Sequence, residues 1–295
     1  MSGPLLLHSM AEFGELIERV LRAAGARRVV EIGGEGGQLT ERLAGLGVAV
    51  TCVDPAPSAH LRALAGDGQV ELIEGKSPGV LAELPRYDVY VVDGDHNFHV
   101  VSGELQAIFA ADPAPVAILH DVCWPSARRD MYYDPDDVPA ERRRPLAFEG
   151  GAVPGEVELQ AHRGFRGVGS FAMAVREGGE HNGVLTAVEH FLEARPDLEF
   201  RRVPCIFGLG VVFAGEAPHA EELRRLLDPL HDSPLLERLE RNRLELYVEV
   251  LDRRRAAEGL DRARRELLEG LERELEAERA DNARLRLALA ERGGA

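Results

Sequence analysis

The chain has 295 residues and a formal net charge of −16. That length suits one large α/β domain with an appendage, and that charge argues against a nucleic-acid backbone as the main partner. Cys52, Cys123 and Cys205 are far apart and form neither a disulfide framework nor a zinc-spacing motif, which points to a reducing cytoplasm. Met1–Leu7 lacks a basic segment and is too short an apolar run for a signal peptide, and no stretch approaches a membrane span.

Apolar residues at Phe13, Leu16, Ile17, Val20 and Leu21 predict a helix over 10–24. Val29–Ile32 reads as a strand that runs into the turn Gly33-Gly34-Glu35-Gly36-Gly37, with a helix over 38–46 and a second strand over 48–53 closed by Asp54. Strand, glycine turn, helix, strand, acid is a nucleotide-binding βαβ series, with the acid about twenty residues after the turn. Glycines let the backbone approach a ligand without a Cβ clash, and an acid at the second strand end can accept both hydroxyls of a ribose. The plainer alternative is an ordinary βα turn with a surface aspartate.

Val70–Glu74 reads as a third strand, followed by Gly75-Lys76-Ser77 and a short helix to Leu84. Ser77 is either a ligand contact or an N-cap. The fourth strand, Val89–Val92, ends in Asp93, with Asp95 and His96 just beyond. A helix over 100–110 has Leu105, Ile108 and Phe109 on its apolar side, and the fifth strand, Val116–Leu119, ends in His120-Asp121. Continuous apolar runs of this kind are buried strands of a parallel sheet, and in open α/β sheets the ligand sits at their carboxyl ends. Two such ends rich in Asp and His form an oxygen and nitrogen cluster suited to a hard or borderline divalent metal.

Residues 122–169 show little periodicity and are rich in Arg, Pro, Gly and Tyr, among them Trp124, Tyr132, Tyr133, Arg128, Arg129 and Arg142–Arg144. So long an irregular stretch is usually functional. It reads as a substrate lid whose arginines bind a carboxylate or phosphate, or else as a solvated loop. No element is assigned to 171–180. A helix over 182–193 and strands over 198–203 and 209–213 follow. From Glu216 onward acids and arginines alternate with leucines, and Leu268, Leu271, Leu275, Glu278, Asn282, Leu285 and Leu289 recur at spacings of three and four. That is an a/d seam with Asn282 at a polar a position that could set register; a single solvated amphipathic helix is the alternative.

Glu31-x-Gly33-x-Glu35-Gly36-Gly37, with its acid inside the strand, resembles the first motif of class I S-adenosylmethionine-dependent methyltransferases. The resemblance spans about residues 10–215. It implies that Glu31 engages the methionine end of the cofactor, that Asp54 holds the ribose, and that Gly33, Gly34 and Gly36 shape the turn, with Ser77 near the adenine and Asp93 at the cofactor's edge. Glu35 departs from the pattern, standing where the family has a central glycine. The Asp93 and His120-Asp121 ends resemble the metal-dependent branch of that fold, which includes catechol O-methyltransferase, and most nearly the branch of macrolide-sugar O-methyltransferases and the cephalosporin hydroxylase family. The resemblance implies metal ligation by Asp93 and Asp121, with His120 in place of an acid, and general-base catalysis by His96, three residues after Asp93. Magnesium is the expected metal, and a histidine ligand would soften the site toward manganese, iron or another borderline metal. His120 is otherwise a non-ligand, and His96 otherwise a capping or orienting histidine. Asp95 is open to three roles: metal ligand, cofactor-amine partner or helix cap.

These readings predict a Rossmann-like α/β methyltransferase domain over 1–215, a seven-stranded sheet with helices on both faces and a lid at 122–169, and a coiled-coil-like helical extension over 216–295. The expected activity is metal-assisted O-methylation of a sugar or natural-product hydroxyl in the cytoplasm, by a homodimer or higher oligomer assembled through the C-terminal helix, with no nucleic-acid or membrane partner. The alternatives are a cephalosporin hydroxylase-like enzyme and a cofactor-binding domain acting in a partner assembly.

Overall fold

The computed structural model describes residues 8–110 and 114–293, with side chains up to Arg286. The leader expectation for Met1–Leu7 lies outside the described residues, and the seam position Leu289 lies outside the described side chains. The chain divides into two compact units, Met1–Tyr247 and Val248–Ala295.

In the first unit the helices are α1 (Gly14–Ala23), α2 (Gln38–Ala44), α3 (Ala59–Gly66), α4 (Phe98–Ile108), α5 (Val184–Glu193) and α6 (Ala220–Leu227), followed by the start of α7 (Pro234–Gly293). The main sheet holds β1 (Arg28–Ile32), β2 (Ala49–Asp54), β3 (Glu71–Glu74), β4 (Val89–Val92) and β5 (Val116–Leu119). A small sheet holds β6 (Met131–Tyr132), β7 (Leu146–Ala147) and β8 (Ala172–Ala174), and β9 (Leu198–Val203) and β10 (Leu209–Ala214) return to the main one.

The main sheet has seven strands in the order β3-β2-β1-β4-β5-β10-β9. The first five are parallel, and β10 runs antiparallel to both β5 and β9. This is the seven-stranded α/β sheet expected from the sequence, closed by the antiparallel pair. Because side chains alternate along a strand, each strand feeds two cores. Val29, Val50, Cys52, Val89, Val91, Val116, Ile118 and Val211 pack against α1, α2, α3 and α6. Val30, Val53, Tyr90, Val92, Ala117, Leu119 and Val212 pack against α4 and α5. Burial on both faces is why these strands read as continuous apolar runs.

The register sets the site. Ile32 lies opposite Val53 and Val92, and Val92 opposite Leu119. The ladder then continues one residue further: Gly33 N donates to Val53 O, Asp93 N to Ile32 O and His120 N to Val92 O, all within 3.0 Å. Gly33, Asp93 and His120 therefore stand level at one edge.

Segment 122–169 is not irregular throughout. β6 and β7 both pair with β8, in the stretch left unassigned above. All five arginines named there as anion ligands are engaged within the protein. Arg128 pairs with Glu189, and Arg142 donates to His99. Arg143 pairs with Asp136, and Arg144 donates to His181 O. Arg129 is wholly buried and donates to Ala174 O at 2.6 Å and Val157 O at 2.8 Å.

The composition change at Glu216 does not coincide with the edge of the compact unit. Leu223 and Leu227 of α6 are fully buried in the first core. At the start of α7, Leu244 and Tyr247 are buried, and Glu240 accepts from Phe207 N at 3.1 Å. The second unit, from Val248, is the remainder of α7, a continuous helix. Among the described residues no helix is long and apolar enough to cross a membrane.

Candidate functional site

Strand parity decides which side chains meet. Glu31, Asp54, Asp93 and His120 each continue the alternation toward the α1–α3 side of the sheet, the face of Val29, Cys52, Val91 and Ile118. Glu31 is buried and accepts from Thr40 Oγ1 of α2. Burial raises its carboxyl to about 8, against the Thr40 hydrogen bond, with Asp93 and Asp54 adding to the rise. Asp54 Oδ2 accepts from Gly34 N at 3.0 Å and Glu35 N at 3.2 Å, and Oδ1 from Ala56 N at 2.8 Å. A carboxylate has about four lone-pair sites. Three are spent holding the turn, which leaves Asp54 room for one more donor.

The turn presses on the neighbouring strand end. Gly33 has φ +84, and a Cβ there would lie 2.2 Å from Asp93 O. Glu35 adopts φ +45. It thus takes the left-handed conformation that a glycine would supply at lower cost. Gly34 and Gly36 complete the turn into α2. Ser77 is not the N-cap of the short helix that follows it; its hydroxyl donates to Glu104 on α4. Glu104 is fully buried, its Oε2 has no hydrogen-bond partner, and burial pushes it up to about 8 against the Ser77 hydrogen bond.

The acidic cluster lies beside the turn. Asp93, His96 and Asp121 each offer a ligand atom, and these atoms lie within 4.8 Å of one another. His96 Nδ1 is 3.2 Å from Asp121 Oδ2. His96 thus joins the two aspartates in this trio, a place the sequence reading gave to His120. His120 stands behind them: its Nδ1 lies 3.0 Å from Asp93 Oδ1 and its Nε2 is 2.9 Å from Ile206 O. A carbonyl can only accept, so Nε2 carries a hydrogen and cannot ligate a metal in this arrangement. Burial would lower the His120 pKa, but Asp93 and Asp121 beside it outweigh burial and raise it to about 9. Phe13 and Phe207 enclose the ring.

Ile206 and Phe207 both have positive φ, +50 and +64, conformations that cost bulky side chains free energy. Asp121 is also left-handed, at φ +60. This break turns its carboxylate toward His96 although it follows His120 directly. None of these turns has a sequence signature.

Asp95 resolves as a brace. Its Oδ1 accepts from His96 N at 3.0 Å and Tyr133 N at 3.3 Å, and its Oδ2 from Asn97 Nδ2 at 2.8 Å. Burial raises it to about 6 against these contacts. Asn97 in turn caps α4 by accepting from Val100 N. Met131 N donates to His96 O, and the Tyr133 ring lies 5.8 Å from the His96 ring. Segment 122–169 therefore borders the cluster from the His96 side.

No protein-family model matches the sequence, and no curated protein matches it. Solved structures that resemble it include an O-methyltransferase from Streptomyces achromogenes involved in tomaymycin synthesis, in complex with S-adenosylmethionine. It is 17% identical, with 70% of this chain and 82% of that one covered and a TM-score of 0.42. An O-methyltransferase from Bacillus cereus bound to S-adenosylhomocysteine is 14% identical, with 72% and 84% covered and a TM-score of 0.42. A Podospora anserina methyltransferase, also bound to S-adenosylhomocysteine, is 16% identical, with 68% and 77% covered and a TM-score of 0.42. Likeness at this level carries no argument about activity, which has to come from the site itself.

Proposed function

We propose that this chain is an S-adenosylmethionine-dependent O-methyltransferase, assisted by a divalent metal, whose acceptor is a hydroxyl of a sugar or natural product. The observation that carries the reading is the convergence of Asp93, His96 and Asp121 within 4.8 Å, at the strand ends beside the glycine turn. Two carboxylates and one imidazole fit a divalent cation. The set is the reverse of the two-histidine, one-carboxylate triad of non-haem iron oxygenases, so it favours magnesium or manganese and a transfer reaction over hydroxylation.

The turn fits the cofactor equally. Buried Glu31 accepts from Thr40 and faces Asp54 and Asp93, so the ammonium and sulfonium charges of S-adenosylmethionine would meet an acidic pocket. Glu31 would hold the α-ammonium and Asp54 one ribose hydroxyl. A metal held by Asp93 and Asp121 would lower the pKa of the acceptor hydroxyl. With the hydrogen on His96 Nδ1, 3.2 Å from Asp121 Oδ2, Nε2 would be left as the base. His96 Nε2 would take the hydroxyl proton of the acceptor while S-adenosylmethionine supplies the methyl group, with S-adenosylhomocysteine as the other product. Alignment of oxygen and methyl carbon would supply much of the rate.

The same trio supports a second reading of His96, as a third metal ligand. Calorimetric titration of S-adenosylmethionine into chelator-treated protein, repeated with magnesium and manganese, tests both. Cofactor binding without metal, with metal binding lost in Asp121→Ala, is the expected result. His96→Gln keeps metal affinity if His96 is the base and loses it if His96 is a ligand. No cofactor binding under any condition would sink the methyltransferase reading.

A further inference from the structure

We propose that the second unit binds a second copy of this chain as a parallel, in-register two-stranded coiled coil over residues 268–286. Leu268, Leu271, Leu275 and Leu285 are between 49% and 62% exposed, on a helix otherwise dominated by acids and arginines. Exposed leucines at this spacing form one stripe of an α-helix. A solvated single helix has no use for such a stripe, whereas a paired helix buries it.

The charges around the stripe choose the partner and its direction. With Leu268, Leu275 and Asn282 at a and Leu271, Glu278 and Leu285 at d, the flanking g positions are Leu267, Glu274 and Asp281. The e positions are Glu272, Arg279 and Arg286. In a parallel in-register pair, each g residue lies beside the e residue five places further along the other helix. Glu274 then meets Arg279 of the second copy, and Asp281 meets Arg286 of the second copy, on both sides of the seam. In an antiparallel pair g faces g, and the acids Glu274 and Asp281 would face each other. Asn282 at a faces its own copy only when the helices are in register, where the two amides can hydrogen-bond. Glu278 at d is the one layer that opposes pairing, because it meets its own copy.

The test is the mass of the full chain in solution, by sedimentation equilibrium across the micromolar range, for three proteins. The unmodified chain should dimerise. Glu274→Arg turns both Glu274–Arg279 contacts repulsive and should weaken the dimer by about tenfold. Glu274→Arg combined with Arg279→Glu restores opposite charges only across a parallel, in-register seam, and should restore the dimer. Far-UV circular dichroism confirms that each variant keeps its helix. A monomer throughout the range overturns the proposal. So does a dimer indifferent to Glu274→Arg, or one that the double exchange fails to restore.

Discussion

Gly33→Ala tests whether the glycine turn and the carboxylate cluster are packed as one body. A Cβ at Gly33 would stand 2.2 Å from Asp93 O, 2.6 Å from Asp93 C and 2.9 Å from Gly94 Cα. All three are backbone atoms, and the β1–β4 ladder fixes them, so no side-chain rotation relieves the contact. The residue's φ of +84 adds a conformational cost of about 1–2 kcal/mol for any side chain. Forcing a methyl into a filled space adds about 1–3 kcal/mol, for a total of roughly 2–5 kcal/mol. Gly47 supplies the control: its φ is +76, and a Cβ there meets nothing within 4 Å. Gly47→Ala therefore carries the conformational cost alone, about 1–2 kcal/mol. Urea unfolding followed by circular dichroism separates the two through their midpoints at equal slope. Calorimetry should also show weaker metal binding in Gly33→Ala, because Asp93 is the atom group displaced. Equal destabilisation by the two substitutions would refute the packing argument.

Three further outcomes are expected. Glu104 is protonated in the fold and ionised in the unfolded chain between its ordinary pKa of 4.5 and about 8. The unfolded state binds fewer protons there, so this stability is present below pH 4.5 and lost as pH rises through 8. Glu104→Gln should thus gain on the order of 3 kcal/mol relative to the native chain between pH 5 and pH 8, and parallel thermal stability profiles with pH would contradict this. Ending the chain after Tyr247 should leave a cooperatively folding unit, whereas ending it after Gly215 removes fully buried Leu223 and Leu227, at about 1.5–3 kcal/mol each. Equal melting temperatures for the two truncations would place the boundary at the composition change after all. Arg129→Lys cannot reach Ala174 O and Val157 O with one planar fork; it should cost about 2–4 kcal/mol and speed proteolysis near Val157, and an unchanged cleavage rate would show that the buried guanidinium is dispensable.

The parts legible in the sequence are those where burial and backbone period coincide. Val89–Val92 and Val116–Leu119 are apolar on both faces, Val29–Ile32 is so except at Glu31, and all three lie in the middle of the sheet. Their ends, and hence Glu31, Asp93 and Asp121, could be placed without coordinates. The small sheet was not legible because Met131–Tyr132, Leu146–Ala147 and Ala172–Ala174 are two or three residues each, too short for any period, and they pair across long gaps in the chain. The 216–247 stretch misled for another reason. Its helices are charged on one side and buried on the other, so composition reports the solvent face while Leu223, Leu227 and Tyr247 face inward.

The two histidines show where strand logic helps and where it fails. Parity alone sends His120 to the face of Val116 and Ile118, against α1, where Phe13 encloses it. The same parity would send Asp121 to the opposite face. Asp121 instead joins Asp93 and His96 because its backbone turns left-handed at φ +60, a conformation that aspartate tolerates better than most residues. The cost of that turn, and of the left-handed pair Ile206-Phe207, is borne by surrounding contacts: Glu240 of α7 accepts from Phe207 N, and Cys123 N donates to Phe207 O at 2.7 Å. Three strained residues from distant parts of the chain thus hold two carboxylates and an imidazole together. Glu35 adds a fourth in the glycine turn. Glu35→Gly should relax that position without moving Asp54, since Asp54 bonds the backbone N–H and not the side chain. Cofactor affinity that stays level while thermal stability holds or rises would match this account. A marked loss of affinity would mean that the Glu35 carboxylate itself binds ligand.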